Sequence, residues 1–309
     1  MALIVTGTIG IDSVYTPDGQ AEKVLGGSCT YFAAAASFYA PVRVVAAVGG
    51  DFPARFDAVL AGFRGVDLTG LERRPASKTF AWGGRYAPGM NARETLYTEL
   101  GVLAEEPPAI PESYRDSRLV FLANTHPAVQ RGLLAKFPGR KLAVADTMDL
   151  WIRTARPELE ALLREVDGLV LNYDEAELLT GQSNTVAAAR SILKLGPSFV
   201  VVKKGEHGCL FAHREGIGAL PAYPCERVVD PTGAGDTFAG GMMGYIAERM
   251  ASDPALEPAS IDVVRYSLAH GTVLASFNIE AFSLDRLARL RRAEIDARYS
   301  EFARMVRVV

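Results

Sequence analysis

The sequence predicts an α/β fold: three layers, α/β/α, around a central and mostly parallel sheet, with a small β-sheet lid beside it. Three observations predict this. Short apolar runs alternate with helix-period segments along most of the chain, the order that builds parallel strands joined by helical crossovers. Glycines and polar residues cluster just after those runs, where open parallel sheets bind their ligands. A stretch near residues 79–98 breaks the rhythm and reads as a hairpin outside the main sheet. With 309 residues the chain is long enough for one large domain, and a single domain over 1–309 is expected, with the lid formed by segments 13–25 and 78–98.

The first apolar run, Ala2–Ile11, reads as a strand. It lacks a basic start and a small-residue cleavage site, so a signal peptide is not expected. Ser13–Val24 is polar and turn-rich, and Thr30–Tyr39 has helical spacing. Further strands are expected at Val42–Val48, Leu119–Ala123, Lys141–Ala145, Gly168–Leu171 and Phe199–Lys203. The helices between them are expected at Phe52–Gly62, Ala128–Lys136, Pro157–Glu165, Asp174–Thr180 and Thr185–Leu195. Thr79–Thr98 carries Trp82-Gly83-Gly84-Arg85-Tyr86, a Pro88-Gly89-Met90-Asn91 turn and a second alternating run. It is either a plain edge hairpin or a cover for a pocket. Three helices close the chain: Thr237–Met250, Ser260–Ser276 and Leu284–Val306.

Composition narrows the partners. Hydrophobic residues make up 49% and charged residues 22% of the chain, with net charge −3, as in ordinary globular proteins. No basic block stands out, so neither nucleic acid nor a membrane is an expected partner. Cys29, Cys209 and Cys225 are odd in number and lack metal spacing, which points to a reducing, cytoplasmic setting.

Residues 230–241, Asp-Pro-Thr-Gly-Ala-Gly-Asp-Thr-Phe-Ala-Gly-Gly, say most about chemistry. Glycines just before a helix leave N–H groups free, and the helix start adds partial positive charge, so the site suits a phosphate. Asp236 has two readings. It is either the cap of the helix, or a base that takes the proton of an alcohol attacking a bound phosphoryl group. A cap alone does not account for Asp230, Thr232 and the glycines. Gly240 and Gly244 share a helix face and suggest close backbone packing. A P-loop is absent, and Phe238 stands where a dinucleotide fingerprint needs its third glycine.

The strand ends supply further candidates: Asp12; Gly26-Gly27-Ser28; Gly49-Gly50-Asp51; Asn124-Thr125-His126; Asp146; Asn172 with Glu175; and Lys203-Lys204-Gly205. Each alone can be a loop residue; together they mark one sheet edge. Asp12 can accept two hydroxyl hydrogen bonds from a polyol. His126, a lone histidine before a proline, reads as structural.

These residues resemble the ribokinase-like (PfkB-type) carbohydrate kinases. Asp230-Pro231-Thr232-Gly233-Ala234-Gly235-Asp236-Thr237-Phe238 is the specific motif, supported by Gly26-Gly27 through Val48-Gly49-Gly50-Asp51 and by Asn172-Tyr173-Asp174-Glu175. The resemblance spans essentially the whole chain. It implies an ATP-dependent kinase with Asp236 as base and the N–H groups of Gly233, Ala234, Gly235 and Asp236 as anion hole. It further implies Mg²⁺ near Asn172 and Glu175, mostly through water, and an acceptor held by Asp12, Gly26, Gly27 and Ser28. Asn124 and Asp146 join that acceptor site from their strand ends. Lys203, Gly205 and Thr232 would contact the nucleotide phosphates, and its base would lie near His270, Val273 and Leu274. The lid would close over the sugar and pair two copies as a homodimer. Tyr31 stands where many members carry Asn, so a different or larger acceptor is implied. Asp146-Thr147-Met148-Asp149-Leu150 departs from Asp-Pro-Asn-x-Arg and loses two polar contacts. The family's monovalent-cation site uses the Asp230–Thr232 region and a later segment. That segment, Asn278-Ile279-Glu280-Ala281-Phe282, lacks the usual glycine, which leaves a potassium requirement open. The acceptor is expected to be a sugar or polyol; the alternatives are a nucleoside, which aromatics beside Asp12 would favour, and a non-catalytic sensor.

Overall fold

A computed structural model describes residues 2–307. In chain order the strands are β1 (Leu3–Thr6), β2 (Gly10–Thr16), β3 (Gly19–Gly26), β4 (Val42–Gly49), β5 (Val66–Arg74), β6 (Phe80–Tyr86), β7 (Arg93–Glu99), β8 (Leu119–Leu122), β9 (Leu142–Asp146), β10 (Gly168–Asn172), β11 (Phe199–Lys203), β12 (Cys209–His213) and β13 (Gly216–Leu220). The helices are α1 (Ser28–Ala36), α2 (Ala54–Gly62), α3 (Pro127–Leu134), α4 (Asp149–Thr154), α5 (Arg156–Leu163), α6 (Tyr173–Thr180), α7 (Thr185–Leu193), α8 (Ala234–Ser252), α9 (Ile261–Asn278) and α10 (Arg292–Met305).

Nine strands form one sheet in the order β13-β12-β11-β10-β9-β8-β1-β4-β5. From β11 to β5 all neighbours are parallel, while β12 and β13 add an antiparallel edge. Alternate residues feed opposite cores, as the two-residue repeat of a strand requires. Leu3 and Val5 of β1 join Leu119 and Phe121 of β8 in a core covered by Phe32, Met242 and Val273. Ile4, Val120 and Leu122 face the other way, against Leu134, Leu159, Leu179 and Ile192. This is the three-layer α/β/α arrangement the sequence predicts. The central strands are apolar throughout because both faces are buried.

The second sheet has four strands in the order β3-β2-β6-β7. It is built from the two segments whose polar alternation breaks the rhythm of the chain. Every residue of β7 is exposed.

Several boundaries differ from expectation. Ala2–Ile11 is not one strand: β1 stops at Thr6, and the chain turns at Gly7 (φ 155°) to enter the small sheet at Gly10. Leu284–Val306 is not one helix. Leu284, Leu287 and Leu290 are buried at three-residue spacing around a short 3-10 turn, and regular helix begins only at Arg292. Strands β5, β12 and β13 and helix α4 carry weak sequence signals, being short or at an edge. The packing of Gly240 and Gly244 matches their shared face. A side chain at Gly240 would meet the Phe32 carbonyl, and one at Gly244 would lie 2.9 Å from Ala36, so α8 lies directly on α1.

Candidate active site

A cavity of about 1240 Å³ lies between the carboxyl edge of the large sheet and the small sheet. Its floor is the start of α8. Gly233 precedes the helix in the left-handed region (φ 74°), and no side chain caps the helix. A side chain on Gly233 would strike the Tyr31 ring, so glycine is required there by both conformation and space. Asp236 is the third residue of the helix and faces the cavity. The capping reading of Asp236 is therefore overturned. The Ala234 N–H donates to the Pro231 carbonyl (3.2 Å), which leaves the N–H groups of Gly235 and Asp236 without a carbonyl partner in the first turn; with the helix dipole they suit an anion.

Lys203 leaves the end of β11 toward the same point. A Cβ on Gly235 would sit 2.5 Å from Lys203 Nζ. Beside it, Asn172 ends β10 and pairs in register with Lys203. Asn172 and Glu175 cap α6 reciprocally: the Glu175 N–H donates to Asn172 Oδ1 (2.8 Å), and the Asn172 N–H donates to Glu175 Oε2 (2.7 Å). Burial pushes the Glu175 carboxyl up to about 7, against the pull of Lys203. Gly205 opens the turn after Lys204, and Glu206 accepts from Asn91 Nδ2 of the β6–β7 turn (3.0 Å). That bond joins the two sides of the cavity.

Asp146 ends β9, and one of its oxygens has no hydrogen-bond partner. Burial and the nearby Asp236 charge hold its carboxyl well above the usual range. Asp236 is also raised by burial, but Lys203 opposes the shift. Lys203 opposes the shift at Asp146 as well, so the two carboxylates lie in the field of one ammonium and titrate as a coupled pair.

Asp12 lies on β2, in register with Trp82 of the parallel neighbour β6. It is 4% exposed, one carboxylate oxygen lacks a partner, and burial raises it to about 7. Gly26 does not face the cavity; it makes room for Asp12, since a side chain there would collide with the carboxylate. Gly27 precedes α1 with φ 94° and lines the cavity. Ser28 also lines it, but its hydroxyl is engaged with Thr8 Oγ1 at 2.9 Å. The Tyr31 hydroxyl is buried and has no partner among the described residues. Asn124 lines the cavity with its amide held by Trp151 Nε1 (2.9 Å) and Met148 Sδ (3.1 Å). Thr232 donates to the Tyr86 hydroxyl (3.1 Å). Asp230 is buried behind Thr232.

Three residues expected near the nucleotide base lie elsewhere. His270 is stacked between Tyr245 and Tyr299 (ring centroids 3.9 and 4.2 Å apart) and bonded to Tyr39. Val273 and Leu274 are fully buried in the core. None of the three lines the cavity. Thr272, Ala275 and Ser276 line it instead, because the face that α9 turns to α8 and α10 is the one carrying His270 and Leu274. His126 caps α3 through Nδ1 on the Ala128 N–H, the structural role expected of it. Arg93 and Trp151 were not singled out by their sequence context. Arg93 lies over the Trp82 ring at 5.2 Å and lines the cavity with Trp151. Only the pairing of β7 with β6 and the folding of α4 bring them there.

Residues 134–280 match the model of the pfkB family carbohydrate kinases. Over 254 residues the chain is 32% identical to the cytidine kinase of Thermococcus kodakarensis, covering 79% of this chain and 88% of that protein. The chain belongs to the PfkB family. Members are phosphotransferases, and this protein is a ribokinase-family sugar or nucleoside kinase. Its fold is also that of an E. coli protein described as a ribokinase II, in complex with ATP and Mg²⁺ (TM-score 0.74, 16% identity, 97% of this chain and 99% of that one). Aminoimidazole riboside kinase from Salmonella enterica, complexed with its riboside and an ATP analogue, is similarly alike (TM-score 0.74, 17% identity, 97% and 100% covered). Among the described residues no helix is long and apolar enough to cross a membrane.

Proposed function

We propose that the protein transfers the γ-phosphoryl group of ATP to a hydroxyl of a nucleoside, with cytidine the first candidate. The observation that carries this is the aromatic wall beside Asp12. Trp82 is in register with that carboxylate, and Tyr86 and Trp151 line the same cavity. An aromatic ring offers a base a flat apolar face on which to stack. The similarity to a cytidine kinase agrees with this reading.

The residues present fit ATP and Mg²⁺: an uncapped helix start that opens on the cavity, the Lys203 ammonium beside Gly235, and the Asn172–Glu175 pair. When bound, Mg²⁺ neutralises phosphate charge, with Asn172 and Glu175 holding its water shell. Asp12 holds the ribose hydroxyls and Trp82 stacks on the base. Asp236 takes the proton of the attacking hydroxyl; the new O–P bond forms as the bond to ADP breaks, and ADP leaves with the electron pair. The N–H groups at the start of α8, with Lys203, stabilise charge on the moving phosphoryl. Asp146, Tyr31, Ser28 and Gly27 shape the acceptor side. The small sheet acts as the lid and excludes water. Its exposed Leu96, Tyr97 and Leu100 pair two copies into a homodimer, which sedimentation at micromolar concentration tests.

The test is ADP release from Mg-ATP with cytidine, other nucleosides, ribose and fructose, in native protein and in Trp82→Ala. Nucleoside-dependent release that Trp82→Ala weakens for cytidine supports the reading. Faster release with a free sugar, unaffected by Trp82→Ala, replaces it with a sugar kinase.

A further inference from the structure

The family resemblance implies a monovalent cation beside Asp230–Thr232, and the residues present do not fit one. Asn278, at the end of α9, is 1% exposed. Its Nδ2 donates to the Thr232 carbonyl at 2.8 Å, and its Oδ1 accepts from Thr237 Oγ1 at 3.2 Å. The Thr232 carbonyl can only accept, so it draws Nδ2 toward itself and leaves Oδ1 to the Thr237 hydroxyl proton. The Ile279 carbonyl accepts from the Val229 and Asp230 N–H groups (2.8 and 3.3 Å). The two Asp230 oxygens accept from the N–H groups of Thr232 (2.8 Å) and Ser283 (3.4 Å). Every one of these oxygens already has a donor, and a cation drawing on Thr232 would strand a buried amide.

We infer that Asn278 does by hydrogen bonding what a bound monovalent cation would do by charge, and that the kinase works without such a cation. The amide ties the Thr232 carbonyl, one residue before the Gly233 turn, to the first turn of α8 at Thr237. It is a positioning residue: it holds the open N–H groups of α8 in line with the cavity and touches no substrate. The Asp230 carboxylate is satisfied by two backbone donors and carries no ion pair among the described residues. This inference rests on the phosphotransferase reading, but its first test does not.

That test is thermal melting of the native protein in potassium, sodium and tetramethylammonium chloride at equal ionic strength. Superimposable transitions are expected; a potassium-specific rise of several degrees, roughly what saturating binding to the native state gives, overturns the inference. Melts need no acceptor, so a wrong acceptor silences turnover without touching them. Turnover in the same salts is expected to agree within about two-fold, and stimulation of about tenfold by potassium overturns it. Asn278→Ala is expected to lower kcat at least about tenfold with acceptor KM nearly unchanged, the pattern of a misplaced reacting geometry. An unchanged kcat removes the positioning role. Thr237→Val, which deletes only the hydroxyl that donates to the Asn278 amide oxygen, is the second variant should Asn278→Ala fail to fold. It is expected to lower kcat by roughly three-fold on the same ground, and an unchanged kcat there again removes the role.

Discussion

Two helices begin at the same cavity and begin differently. The start of α6 is closed: Asn172 and Glu175 satisfy each other's backbone N–H groups and lock both side chains. The start of α8 is open, with a left-handed glycine where a capping side chain would stand and a carboxylate, Asp236, that caps nothing. With glycine at the cap position, the cost of an open start is only about a few tenths of a kcal/mol of forgone capping. The difference teaches how a helix end is fitted to its task. A closed end presents rigid side-chain oxygens, which suits water around a metal ion. An open end presents backbone N–H groups, which suits an anion that arrives and leaves with each turnover.

The strongest way to break this contrast is Asp236→Asn. If Asp236 is a base, turnover falls about 10²-fold or more while nucleotide affinity and melting temperature hold. Near-normal turnover returns Asp236 to a structural role. Gly233→Ala attacks the open end itself. A left-handed alanine costs about 1–2 kcal/mol, and its methyl strikes Tyr31, so the melting temperature falls and turnover drops about tenfold or more. Retained activity would mean that the turn is not what holds the N–H groups in place.

At the closed end, two variants separate cap from charge. Glu175→Ala loses the reciprocal bond and about 1 kcal/mol of stability in chemical denaturation. Glu175→Gln keeps an acceptor for the Asn172 N–H and is expected to hold stability while raising the KM for Mg-ATP several-fold, roughly 1 kcal/mol of lost binding. Equal KM effects in Glu175→Gln and native protein would confine Glu175 to capping.

At the acceptor side the effect is read in stability and its pH dependence. The Asp12 carboxyl is raised by burial to about 7 from 3.8. Between those values the folded state binds more protons than the unfolded one, so Asp12 lowers stability progressively as pH rises through that window. Relative to the native protein, Asp12→Asn should gain in melting temperature from pH 4 to pH 7 and show no further change above. A pH-independent difference would mean that Asp12 ionises as freely folded as unfolded.

Much of this was legible in the sequence because it depends on local chemistry. The alternation of apolar runs and helical periods reports a sheet buried on both faces, and the glycines before Thr237 report a helix start that must admit a ligand. The Asn172–Glu175 spacing is the spacing of a capping box. The Asp12–Trp82 register, the Lys203 ammonium over Gly235 and the Asn278 amide on Thr232 were not legible, because each joins residues from distant elements. His270 shows the limit clearly. Its position along α9 is plain from the chain, but the face it occupies depends on how α8, α9 and α10 pack. The sequence by itself determined the layers and the glycine turn before α8, through periodicity and backbone conformation that neighbouring residues impose, and pointed to the enzyme family through the resemblance of its motifs. Only the tertiary structure decided that α8 is uncapped, that Asp146 and Asp236 lie close enough to couple, and that the Asn278 amide meets the Thr232 carbonyl. Those outcomes follow from burial and from contacts that exist only once the chain has closed on itself.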